Sequence, residues 1–288
     1  MHDFLRFTIL GCGSSPGVPR IGGDWGVCDP ANPKNRRRRC SLLAQRISRH
    51  GHFTNVLIDT SPDLREQVLS VGIGALDGVL FTHPHADHIH GIDDLRGFVM
   101  NMQRRVDVYA DDPTLSRLKE AFGYCFETPP GSDYPPILNA RPIHAGEPVS
   151  VGGTGGPLVA LPISQIHGNI ASLAFRMGGL CYSPDVSSLD TDAEGQMQGL
   201  DVWIVDALRR RPHPSHFSLS EALNWIERLK PKRAILTDMH VDLDYETLRR
   251  ELPENVEPAH DGMVIELAVP ERASEKPPQR VDSTDSTT

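Results

Sequence analysis

Four residues able to hold a metal ion, His83, His85, Asp87 and His88, fall within six positions of Thr82-His83-Pro84-His85-Ala86-Asp87-His88-Ile89-His90-Gly91. The stretch directly follows the apolar run Val79-Leu80-Phe81-Thr82. Side chains two apart in extended backbone point to the same side, so His83 and His85 can share one position. Asp87 and His88 stand where a helix could begin and can face a neighbouring position. Neutral imidazoles with a carboxylate suit Zn²⁺, Mn²⁺ or Fe²⁺ better than Ca²⁺. The plain alternative is a solvated histidine-rich loop, and so many donors directly behind a strand argue against it. These residues do not saturate two ions, so further ligands are expected downstream. The candidates are His167, Asp185 and His240. His167 follows Leu161-Pro162-Ile163, Asp185 follows Cys181-Tyr182-Ser183-Pro184, and His240 follows Ile235-Leu236-Thr237-Asp238-Met239. A lone histidine or aspartate at such a place is more often a cap or a surface residue. Only the common pattern, one donor at the end of each apolar strand, gathers them at one edge of a layered sheet.

The elements that must position these donors are visible as apolar runs. Phe7 to Leu10 predict a short strand running into the tight loop Gly11-Cys12-Gly13-Ser14-Ser15-Pro16-Gly17. Ser41 to Ile47 and Asn55 to Ile58 predict a hairpin, with His50-Gly51-His52 near its turn. Asp63 to Val71 have the period of a helix, with Leu64, Val68 and Val71 on one face. Further strands are expected at Val106–Tyr109, Val159–Leu161, Leu173–Phe175, Val202–Val205 and Ala234–Thr237. Helices are expected from Ser220 to Leu229 and from Leu243 to Leu252. Strands mixed with helices throughout predict an α/β layered domain. That domain is expected to span 1–271, and the polar stretch from Arg272 to Thr288 is expected to be a disordered tail.

Composition narrows the classes. The chain has 288 residues, 39% hydrophobic and 23% charged, enough to bury a core without disulfides. A net charge of −9 offers no basic field for holding a long nucleic acid by its phosphates, and bound divalent ions would offset part of it. Five irregularly spaced cysteines give no disulfide framework and fit a reducing cytosol. The charged start lacks a secretory apolar region, and no stretch approaches the ~18 apolar residues of a membrane span. A cytoplasmic protein with no membrane association is expected.

His83-x-His85-x-Asp87-His88-x-x-Gly91, with Gly11-x-Gly13 and Asp59-Thr60 upstream, resembles the metallo-β-lactamase superfamily. Leu10-Gly11-Cys12-Gly13-Ser14-Ser15-Pro16-Gly17-Val18-Pro19 and Asn35-Arg36-Arg37-Arg38-Arg39-Cys40-Ser41 are similar to the branch containing the phosphoribosyl cyclic phosphodiesterase of phosphonate degradation. The resemblance runs from about residue 5 to 265. It implies a four-layer αβ/βα sandwich with two divalent ions, Zn or Mn, at one edge of its sheets. His83, His85 and His167 would hold one ion, and Asp87, His88 and His240 the other, with Asp185 bridging. Asp59 would orient a ligand histidine. The chain departs from the branch twice. Of a cysteine cluster that holds a structural zinc there, only Cys28 remains, with Gly23 and Trp25 in the other places. The branch also usually sets its last histidine ligand directly after a Leu-Thr pair, where this chain has Asp238, so His240 is the expected ligand and Asp238 the fallback.

Two ions ~3.5–4 Å apart that share a water generate a nucleophile near neutral pH and neutralise phosphoryl oxygens. The leaving oxygen then needs a proton, and His216 in Pro212-His213-Pro214-Ser215-His216-Phe217-Ser218 is the expected general acid, with His213 the alternative. Asp87 and His216 are thus the expected catalytic residues. Arg36 to Arg39 and Arg209 to Arg211 are either solvated runs or phosphate contacts. The expected function is a phosphodiesterase on a small cyclic phosphate or nucleotide-like ester, with a homodimer as the assembly to test. Thioester, lactone or lactam hydrolysis is the first alternative, and a non-catalytic phosphate-ligand binding protein the second. tRNA 3′-end processing is disfavoured because no basic insertion is present to clamp a tRNA.

Overall fold

The computed structural model describes residues 2–269, so the expected tail from Arg272 to Thr288 lies outside the described residues, as does the last of the 1–271 segment. The first sheet is built from β1 (Phe4–Gly11), β2 (Ser41–Ile47), β3 (Phe53–Ile58), β4 (Gly78–Leu80), β5 (Val106–Ala110) and β6 (Leu138–Pro142). The second contains β7 (Val149–Val151), β8 (Leu158–His167), β9 (Ile170–Met177), β10 (Leu180–Ser183), β11 (Val202–Asp206), β12 (Arg233–Thr237) and β13 (Val256–Pro258). The chain then returns as β14 (Val264–Ala268) to the first sheet, beside β1. The orders are β14-β1-β2-β3-β4-β5-β6 and β13-β12-β11-β10-β9-β8-β7. Both sheets are mixed. β1, β2 and β3 are antiparallel, whereas β3 to β6 and β10 to β13 are parallel.

Alternation along the strands sorts the core into layers. Phe7, Ile9, Leu42, Ala44, Val56 and Ile58 face the second sheet, while Leu10, Leu43, Leu57 and Val79 face outward. That outer face is covered by α1 (Leu64–Val71) and, beyond the short α2 (Ala86–Ile89), by α3 (Leu95–Met102) and α4 (Asp112–Phe122). On the other side lie α5 (Thr191–Gln196), α6 (Leu219–Leu229) and α7 (Tyr245–Glu251). Every residue of β11 is buried, as a parallel strand covered on both faces requires. The four-layer αβ/βα sandwich expected from the sequence is the fold.

Two features aim the chain at the site. The parallel strands β3, β4, β10, β11 and β12 all deliver their C-terminal ends to one edge, followed by Asp59, the His83 loop, Asp185, Asp206 and Asp238. Gly91 closes the histidine loop onto the segment after β3. A Cβ there would sit 2.1 Å from the Ser61 carbonyl oxygen, so no other residue fits without movement. Its N–H donates to Thr60 O at 2.9 Å, and the Thr60 N–H donates to His88 O at 2.7 Å.

Candidate metal centre

Four imidazoles are held by the same device. His88 Nδ1 donates to Asp59 Oδ2 at 2.7 Å, and His167 Nδ1 to the Ser215 carbonyl at 2.5 Å. His216 Nδ1 donates to Asp206 Oδ2 at 2.9 Å. The Thr82 hydroxyl gives its one proton to Asp59 Oδ2 at 2.8 Å, so it accepts from His83 Nδ1 at 2.9 Å. Each pairing fixes a tautomer and leaves Nε2 free. Those Nε2 atoms converge on Asp185: His88 lies 3.0 Å from its Oδ1, and His83, His167 and His216 lie 3.7, 3.6 and 3.8 Å from its Oδ2. His85 completes the group, its Nδ1 3.1 Å from His167 Nε2. One donor atom each from His83, His85, His167 and Asp185 falls within 4.8 Å of the others.

The donors fit a divalent cation site. His83 Nε2, His88 Nε2, Asp185 Oδ1 and Asp238 Oδ2 are buried and make no hydrogen bond among the described residues. Unpaired buried polar atoms are costly, and a converging set of lone pairs is what metal ions satisfy. The electrostatics agree for His83 and His167. At His88 burial is overcome by Asp185, Asp87 and Asp59, which hold its imidazole well above its usual value, so it must release a proton to take an ion. Burial and the neighbouring His88 hold the His83 imidazole well below its usual pKa, while burial brings His167 down to about 4. Both are therefore neutral, as ligands must be. Burial works against ionised Asp185, but the neighbouring His88 holds its carboxyl well below the usual carboxylate range. Burial also opposes a charge on His216, yet Asp206 and Asp238 hold its imidazole well above the ordinary value.

The structure brings together His83, His85, Asp87, His88, His167 and Asp185, with Asp87 Oδ2 3.6 Å from His88 Nε2. His240 lines the same cavity but stands outside both groups of donors, whereas Asp238, the fallback, joins one of them. His240 Nδ1 lies 3.0 Å from Asp242 Oδ1, and its Nε2 contacts the Arg20 guanidinium at the cavity rim. The cause is backbone geometry: Asp238, immediately after β12, turns the chain with a φ of 56° and occupies the inner position itself. Asp238 Oδ2 lies 3.2 Å from His216 Nδ1, and Asp185, His216 and Asp238 form a second group of donors. Asp59 also adopts a left-handed φ, 63°, directly after β3. Aspartate tolerates that region better than most residues, and both strained positions lie at the site.

His216 is placed by the strap between β11 and α6. Phe217 N–H donates to Val186 O at 2.7 Å, its ring is buried, and Ser218 and Glu221 form a capping box that starts α6. Burying a ring of that size stabilises by roughly 1.5–3 kcal/mol. Asp206 is the functional residue the sequence reading missed, although it ends an apolar strand as Asp185 and Asp238 nearly do. The Arg36–Arg39 run mostly faces elsewhere. Arg37 is buried and donates to Leu243 O at 2.6 Å, Arg38 pairs with Asp261 at 3.0 Å, Arg39 with Asp63 at 3.0 Å, and Arg36 is exposed. Arg209 and His213 do border the site. Cys28 is buried, its thiol donating to Val241 O at 3.4 Å within a cluster of Val18, Trp25 and Val241.

The donors open into a cavity of about 420 Å³, also lined by Ser14, Ser15 and Pro16. A larger groove of about 790 Å³ runs along α3 past Met100, Tyr124 and Tyr134, but its walls carry no carboxylate, imidazole or thiol. The chemistry belongs to the smaller one.

Residues 54–239 match the family model of the β-lactamase superfamily domain. A diphosphatase from the PhnP family, of known crystal structure, is 35% identical, with a TM-score of 0.82 over 92% of this chain and 98% of that one. YhfI from Bacillus subtilis, a metallo-β-lactamase fold protein, shares 18% identity at a TM-score of 0.66 over 92% of this chain and 99% of that one, a likeness of fold alone. An octanoyltransferase from Porphyromonas gingivalis (strain ATCC BAA-308 / W83) is 31% identical over 264 residues, 90% of this chain and 51% of that protein. The chain thus spans about half the length of the curated relative it matches. On the domain match, the fold and the converging histidine motif, the chain belongs to the β-lactamase superfamily.

Proposed function

We propose that the chain is a dinuclear metal-dependent hydrolase that cleaves a small phosphate ester, a cyclic phosphodiester or a diphosphate. The observation that carries this reading is the convergence on Asp185 of imidazoles locked through Nδ1. His83, His85 and His167 would hold one ion, Asp87, His88 and Asp238 the other, with Asp185 shared. When bound, the ions would lower the pKa of a water and neutralise charge developing on phosphoryl oxygens. His216 presents Nε2 to the same cavity, with Asp206 fixing its ring from behind, so it is positioned to hand a proton to the leaving oxygen. The cavity wall supports a charged substrate. Serine, histidine, aspartate and Arg209 line it, against only Pro16 and Leu208 as apolar surface, which suits a phosphate better than an acyl chain. Similarity to a diphosphatase over nearly the whole of both chains points the same way. Octanoyl transfer is not carried over, because half of that relative lies outside the match.

The test is turnover by metal-loaded protein of bis(p-nitrophenyl) phosphate, cyclic phosphates and diphosphates, beside thioesters and lactones. Phosphoester hydrolysis that a chelator abolishes and added Zn²⁺ or Mn²⁺ restores is expected. Hydrolysis of thioesters or lactones alone would overturn the substrate class. Metal-dependent phosphate binding with no turnover of any ester would make the chain a binding protein.

A further inference from the structure

We propose that the two metal positions are chemically unequal, the His83–His85–His167 position taking an imidazole-preferring ion such as Zn²⁺ and the Asp87–His88–Asp238 position an oxygen-preferring ion such as Mn²⁺. This rests on the reading above that the site holds two ions. The first position has three imidazoles and a share of Asp185. The second draws on His88 and Asp87, 3.6 Å apart, and on a share of Asp185, 3.0 Å from His88, with Asp238 brought to the same Asp185 beside His216. Imidazole suits zinc, whereas carboxylate-rich sites suit manganese and magnesium.

Asp238 widens the difference that Asp87 begins, and its surroundings leave it open to a cation. It is 2% exposed. Its Oδ1 meets only the weak thiol donor of Cys40, at 3.8 Å. Its Oδ2 lies 3.2 Å from His216 Nδ1 without forming an aligned hydrogen bond, because that proton is directed to Asp206 at 2.9 Å. Two buried carboxylates thus face one N–H, and Asp206 takes it. Asp238 Oδ2 is thereby left buried without a hydrogen bond, an oxygen open to a cation on its other side. A histidine at 238, as the related branch would have it, would instead add a second neutral imidazole and narrow the difference between the two positions. His240 does not restore one, being held at the rim by Asp242 and Arg20.

Zinc outcompetes manganese at most sites, so the test must limit zinc. Metal-free protein is given one equivalent of Zn²⁺ per chain with excess Mn²⁺, crystallised, and mapped by anomalous scattering at both absorption edges. The expected result is zinc at His83–His85–His167 and manganese at Asp87–His88–Asp238, with one Mn²⁺ per chain by electron paramagnetic resonance. With two equivalents of zinc and the same manganese, Asp238→His should move the second peak from manganese to zinc more fully than wild type does. Zinc spread equally over both positions, or concentrated at the aspartate-rich one, overturns the inequality while leaving a dinuclear hydrolase intact. Binding of neither ion removes the metal reading itself. The wild-type map decides the question even if the Asp238 variant does not fold.

Discussion

Replacing Asp59 by asparagine should weaken the His88 metal position more than the other. The carboxylate is fully buried and saturated from three sides. Its Oδ1 accepts the Thr82 N–H at 2.8 Å, and its Oδ2 accepts the Thr82 hydroxyl at 2.8 Å and His88 Nδ1 at 2.7 Å. All three partners are donors, so an amide NH₂ conflicts wherever it is placed. Placed against Thr82 N–H, it sets donor against donor at a backbone group. Placed at Oδ2, it faces His88 Nδ1 and favours the tautomer carrying the proton on Nε2, the atom that should bind the ion. Loss of such a supporting carboxylate typically lowers metal affinity roughly 10–100-fold. At 1.36 kcal/mol per tenfold, that is about 1.4–2.7 kcal/mol. The effect falls mainly on the His88 position, because His88 bonds the carboxylate directly, whereas His83 reaches it only through the Thr82 hydroxyl and His167 is oriented by the Ser215 carbonyl. Competition with a chromophoric chelator resolves the two binding steps, and melting of the metal-free variant reports damage to the fold. Equal weakening of both steps, or of neither, would refute the argument that Asp59 acts through the His88 tautomer.

His216→Ala should retain both ions yet slow hydrolysis of unactivated phosphoesters by about 10²–10⁴-fold, with a smaller loss on nitrophenyl esters, whose leaving groups need little protonation. Equal losses on both substrates would argue against a proton donor, and a missing ion would make His216 a ligand. His240→Ala should leave two ions per chain by elemental analysis, whereas Asp238→Ala should leave fewer; the reverse pattern would return His240 to the ligand set. Asp244→Ala removes the N-cap of α7, whose side chain accepts the Thr247 N–H at 2.9 Å and Asn35 Nδ2 at 2.7 Å, and should destabilise by about 0.5–2 kcal/mol. Burial works against that carboxylate, but its hydrogen bonds hold it at about 2, below the ordinary 3.8. Its contribution is thus present above pH 3.8 and fades as pH falls toward 2, so the difference in melting temperature between wild type and variant should shrink over that interval.

The sequence made the histidine loop legible because its donors are local. His83 to His88 sit in one short segment behind an apolar strand, and the chemistry needs nothing from elsewhere to be recognised. His167 and Asp185 were within reach for a related reason: both stand at strand ends, and strand ends are what a layered sheet collects. The choice between His240 and Asp238 marks where that logic stops. Asp238 and His240 are two residues apart beyond the same strand, and alternation alone would send both to one side. The left-handed turn at Asp238 breaks the alternation, and no composition rule announces a positive φ at an aspartate. The Arg36–Arg39 run shows the same limit for charge. Its arginines are separated by burial and by partners at Leu243, Asp261 and Asp63, all distant in the chain, so a run that looks like one basic patch is mostly fold support. Asp206 was hidden for the opposite reason: it too ends an apolar strand, but it binds no ion in this reading and acts through His216, so its position alone assigns it no role. Direct donors are thus read from local spacing, whereas the residues that orient them become visible only when distant strand ends meet. The same dependence explains why Asp206 and Asp238 must be interpreted together: one N–H on His216 lies between two carboxylates, and whichever takes it leaves the other to the metal.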